Sequence, residues 1–149
     1  MISKAAIYTG LIRPIALYGS EAWCLTARDS NTLTRFENGC LRVMNNISAR
    51  SQRSNYISSS SLRRRLGIAK ISSICVRNQL RWAGHLARMD WSRLPRKLLS
   101  SWCRYKRPTG APNYTYGRQL HQSLRDSNIT NWHHHAMDRS EWRKLIAAI

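Results

Sequence analysis

The sequence predicts a mainly α-helical protein, on three observations. Apolar residues recur every three or four positions in several segments, helix-capping signals stand at the ends of those segments, and three of the four prolines fall between residues 92 and 117. The predicted organisation is a helical region over 1–91, an extended basic connector over 92–117 and a C-terminal helical segment over 118–149.

The first helix is expected over residues 3–18. Ile7, Leu11, Ile15 and Tyr18 form one stripe, yet Ala5, Ala6, Ile12, Ala16 and Leu17 make the other sides apolar too. Such a helix needs neighbours on several faces, and Pro14 should bend it. Little precedes it here to supply that cover, so a packing partner is expected upstream in a longer parent protein. Thr26-Ala27-Arg28-Asp29 reads as a capping box, and Leu33, Phe36, Cys40, Met44 and Ile47 follow at helical spacing despite Gly39. The Ser- and Asn-rich residues 45–61 read as loop and helix entry, and a short helix through 62–66 ends at Gly67.

The most regular segment is 70–89. Ile71, Ile74, Cys75, Trp82, Leu86 and Met89 share one face, while Lys70, Arg77, Arg81 and Arg88 stack on an adjacent one. One helix thus presents an apolar side and a basic ridge. After it, Pro95, Pro108, Gly110 and Pro112 predict a loop-rich connector with a short strand at Leu98 and Leu99. Two more helices are expected over 116–127 and 130–148, with Trp132 and Trp142 closing a C-terminal hairpin.

Charge is the leading functional clue. The 149 residues hold 25 Lys and Arg against 7 Asp and Glu, a formal net charge of +18, with a pI near 11.2. A surface so charged calls for a polyanion, and RNA, DNA and acidic membranes all qualify. The ridge, the run Arg63, Arg64 and Arg65, and the connector's Lys106 and Arg107 are the expected phosphate contacts; they position a backbone rather than read sequence. Tyr105, Tyr114 and Tyr116 are candidates for stacking on bases. The mean hydropathy of −0.50 and scattered charge leave no bilayer-spanning run, which excludes a transmembrane reading; of the three polyanions, RNA or DNA rather than a membrane surface is the expected partner. Cys24, Cys40, Cys75 and Cys103 form no C-x-x-C pair and are expected as reduced thiols in an intracellular protein, nuclear or cytoplasmic.

Catalytic patterns are missing. The seven carboxylates are scattered singly, without the paired aspartates that hold magnesium, and no nucleophile elbow, phosphate-binding glycine loop or H-E-x-x-H occurs. Adjacent His133, His134 and His135 point in different directions on a helix and read as a solvated helix entry rather than a metal site. His85 is expected as a hydrogen-bonded core histidine. Asp138 and Glu141 are expected to form surface ion pairs with Arg139 and Arg143. Neither an enzyme nor a small-molecule substrate is expected.

Several strings, in one order, resemble the reverse transcriptases of non-LTR, LINE-type retrotransposons. Tyr18, Gly19, Glu21 and Trp23 lie in a string similar to that family's L-Y-G-S-E-x-W, and Trp82, Gly84 and His85 in one similar to L-R-W-x-G-H-x-x-R-M. Residues 93–95 and 106–110 resemble the segments that follow, and Trp132, Asp138, Arg139 and Trp142 stand in a string similar to W-x-x-x-A-x-D-R-x-x-W-R. The resemblance covers nearly the whole chain and implies the thumb and post-polymerase region, a thumb-like helical bundle that binds RNA or DNA. It also implies an upstream palm holding the catalytic aspartates and their magnesium, neither of which belongs to these residues. Asn113, Tyr114 and Thr115 stand where that family is typically basic, and Arg118 where aspartate is common; these departures suit a decayed relic. An independent RNA-binding protein is the remaining alternative.

Overall fold

The computed structural model describes residues 3–100, 110 and 115–149, and among them it is helical without strands. The chain divides into two compact units. The first holds residues 1–19 and 26–75, the second residues 20–25 and 76–149. No helix among the described residues is long and apolar enough to cross a membrane.

In the first unit, α1 (Lys4–Ile7) and α2 (Arg13–Ala16) are joined by a π-helical turn, Tyr8–Ile12, in which the Arg13 amide donates to the Tyr8 carbonyl five residues back. Where a bend was expected at Pro14, the helix shows a widened turn just before this residue without an amide hydrogen. The expected stripe is not buried. Ile7, Leu11, Ile15 and Tyr18 are all exposed, and the inward residues are Tyr8 and Leu17.

The capping box at Thr26 opens α3 (Ala27–Met44), with Asp29 and Thr26 bonded reciprocally. Its buried row is Glu37 and Leu41, one position from the predicted stripe, whose Phe36 is exposed. A carboxylate in the centre of the inward face disguised that row. Glu37 is fully buried, accepts the Ile71 amide at 2.8 Å and pairs with Arg63 at 2.9 Å. The stretch predicted as loop contains α4 (Ala49–Ser54), capped by Ser48, and leads into α5 (Ser59–Leu66), capped by Ser58. Leu41, Leu62, Ile71 and Cys75 are buried in this unit.

The long helix α6 (Ile71–Ala87) contributes Ile71–Cys75 to the first unit and the remainder to the second. Its later buried positions are Gln79, Leu80, Ala83, Gly84, Leu86 and Ala87, while Trp82 and Met89 are half-buried. Ala83, Gly84 and Ala87, which the predicted stripe leaves out, are small where another helix lies close. Leu98 and Leu99, expected as a strand, lie in α7 (Leu94–Ser100), where Pro95 sits in the first turn and breaks no hydrogen bond.

The tail forms α8 (Tyr116–Asp126), α9 (Trp132–Met137) and α10 (Arg139–Ala147). One helix was expected over 130–148. It is divided at Asp138, whose backbone is extended and whose carboxylate accepts the Ser140 and Glu141 amides as an N-cap. Leu80, Ala83 and Ala87 pack with Leu120, Leu124, Ala136, Trp142 and Ile146 into the core of the second unit, and Trp132 stands 6.3 Å from Trp142 between ring centroids.

Candidate nucleic-acid interface

The second unit carries a cleft of about 740 Å³ lined by Arg81 and His85 of α6, by Arg88 in the turn that follows it, and by Arg139, Trp142, Arg143 and Ile146 of α10, with Ala147 at its end. The lining is built from helical spacing. Arg139 and Arg143 are four residues apart and lie on one face of α10, while Arg88 follows Arg81 by seven residues, one position past the end of α6. Four guanidinium groups converge on one concavity that no carboxylate lines. Like charges this close repel, and burial followed by the Arg139 and Arg143 charges holds the Arg88 guanidinium below its ordinary value. A bound polyanion turns that repulsion into attraction.

The expected pairs of Asp138 and Glu141 with these arginines do not form. Asp138 caps α10, and Glu141 lies 2.7 Å from His135. Their absence leaves the Arg139 and Arg143 guanidinium groups to the cleft, which the sequence expectation of ion pairs had hidden. His85, expected in the core, is exposed, its ring 5.4 Å from that of Trp82; the turn that buries Ala83, Gly84 and Ala87 rotates it outward.

Compared with known proteins, the chain matches no family model, no curated protein and no solved structure.

The other predicted contacts divide by surroundings. In the first unit Arg64, Arg65 and Lys70 are exposed, but Arg63 turns inward to Glu37, its side chain only 15% exposed. In this structure the Arg63 guanidinium is engaged by a buried carboxylate, whereas Arg64 and Arg65 are exposed. In the second unit Arg77 is half-buried, and Arg88 donates to the Ala136 carbonyl while lining the cleft. Tyr116 is half-buried against the core, where burial pushes its phenol up to about 12. Lys106, Arg107, Tyr105, Tyr114 and Cys103 lie outside the described residues. Cys24 is exposed, Cys40 half-buried and Cys75 buried, all as free thiols. Among the described residues no three His, Cys, Asp or Glu side chains are grouped as metal ligands.

The motif residues have physical tasks. Gly19 takes φ of +71°, a left-handed conformation suited to glycine, and redirects the chain into the 3-10 turn Ser20–Ala22. Ser20 is buried and accepts from Asn78 at 2.8 Å, while the Trp23 carbonyl accepts from Gln79 at 2.9 Å. Glu21 is therefore fastened to α6 on both sides. Tyr18, grouped with these residues in sequence, is exposed.

Proposed function

We propose that this chain is a nucleic-acid-binding part of a non-LTR retrotransposon reverse transcriptase, holding a phosphate backbone in the basic cleft of its second unit. The observation that carries the reading is the convergence of Arg81, Arg88, Arg139 and Arg143 on one cleft without a lining carboxylate. The family assignment draws on the resemblance, and two of its strings meet in the fold: Gly84 lies under the Trp142 ring, 58 positions away in sequence. In this reading the chemistry and its magnesium belong to a palm outside the chain, which would also cover the exposed Ile7, Leu11 and Ile15. Contacts to the backbone give affinity without sequence preference.

The test is titration of labelled RNA and DNA by fluorescence anisotropy across a salt series. Each neutralised phosphate contributes about −0.9 to the slope of log affinity against log salt on duplex and about −0.7 on single strands. Replacing Arg139 and Arg143 together with glutamine should flatten that slope by about 1.4 to 1.8. Affinity that does not change between low and high salt would overturn the proposal.

A further inference from the structure

We infer that a shallow pocket beside the cleft receives an unpaired guanine from the strand whose phosphates the cleft holds, an inference that rests on the nucleic-acid-binding reading above. The pocket, of about 330 Å³, is lined by Glu21, Asn78, Arg81, Trp82 and His85. Arg81 and His85 also line the basic cleft, so the two concavities adjoin across these side chains. A backbone in one places a base within reach of the other.

The pocket has a wall and an edge. Trp82 and His85 supply two rings, 5.4 Å between centroids and tilted by 43°, against which any base can stack. Stacking does not discriminate; the edge does. The backbone that carries Glu21 is held by the bonds that Asn78 and Gln79 donate to Ser20 and Trp23 on either side of it, and a carboxylate's two oxygens accept hydrogen bonds. Guanine alone presents two neighbouring donors, its N1–H and its exocyclic amine, to match two carboxylate oxygens. Adenine and cytosine set one amine beside a ring acceptor, and uracil and thymine set one N–H between two carbonyls; each turns a lone pair on the carboxylate. That edge of guanine is occupied in a duplex, so the guanine must be unpaired.

The full-length chain is titrated with a labelled short oligoadenylate and with the same strand carrying one central guanine, in RNA and DNA forms. The guanine strand should bind about tenfold tighter in at least one sugar series, the discrimination of a good bidentate contact. Inosine at the same position, which lacks the amine, should lose most of that gain. Glu21→Gln removes a negative charge and should tighten both strands, but it should bring their affinities level; tighter binding with the preference intact would mean that Glu21 acts only through its charge and would overturn the inference. His85→Ala, at an exposed position, should weaken the guanine strand more than the oligoadenylate. Equal affinity of the wild type for both strands, with a steep salt dependence, would overturn the guanine pocket and leave the cleft standing. Failure to bind any strand at low salt, with the helical signal intact, would instead bring down the cleft itself.

Discussion

A Cβ built on Gly84 would lie 2.0 Å from the indole nitrogen of Trp142 and 2.4 Å from the adjacent ring carbon. The ring cannot retreat freely, because its N–H donates to the Leu80 carbonyl at 3.0 Å and its other faces are buried. Gly84→Ala gains about 1 kcal/mol of helix propensity. Against this stand about 3 kcal/mol of overpacking and about 1 kcal/mol from the strained indole hydrogen bond. The expected outcome is a net loss of about 3 kcal/mol, read as a lower urea midpoint; unchanged stability would mean that the indole is not seated on this helix. The glycine was visible in the sequence as part of a motif, but its reason lay in a residue far along the chain. Glu37 shows the converse. Among isolated carboxylates it looked unremarkable, and only the fold reveals it buried between Arg63 and the first amide of α6.

Four helices end in the same way. At Asn46, Tyr56, Gly67 and Asn128 the backbone turns left-handed, and the next residue, an isoleucine each time, donates back five positions: Ile47 to Arg42, Ile57 to Gln52, Ile68 to Arg63 and Ile129 to Leu124. The Gly67 stop was legible because glycine announces it. Those at Asn46 and Tyr56 were not, so α4 was taken for loop although Ser48 and Ser58 already marked helix entries. Tyr56 is the costly member, with φ of +51° and a side chain 95% exposed. Tyr56→Gly removes the left-handed penalty and gives up almost no contact, so it should raise stability by about 1 kcal/mol, measured by thermal or urea melts. Helix starts give a second expectation. Hydrogen bonds from the Ser140 side chain and the Glu141 and Ser140 amides hold the Asp138 carboxyl below its usual range, and those from Thr26 do the same for Asp29. A lowered carboxylate stabilises the fold above its unfolded value, and that contribution disappears as pH falls through the folded one. Melting temperature should therefore drop below about pH 4, and Asp138→Asn, which still caps but does not titrate there, should flatten the drop.

The net charge of +18 acts on the whole chain in two opposed directions. Alone, the protein is strained by self-repulsion, which is greatest where Arg81, Arg88, Arg139 and Arg143 crowd one cleft. Added salt screens that repulsion within a Debye length of about 10 Å at 0.1 M, so the melting temperature of the free protein should rise with ionic strength. Under the proposed function, a strand bound in the cleft would do the same work more effectively, its charges being fixed there; at low salt and a hundredfold excess over Kd it should add about 2.7 kcal/mol of stability. Salt also weakens that binding, so the extra stabilisation from the strand should shrink as the free protein gains. The two melting curves, with and without nucleic acid, should therefore converge with increasing salt, the lower one rising as their separation closes. Parallel curves would mean that the added strand stabilises the fold through contacts other than charge. The charge behind this expectation was legible in composition alone. The place where it concentrates was not, because Arg139 and Arg143 stand next to acids in sequence that the fold turns to Ser140 and His135 instead.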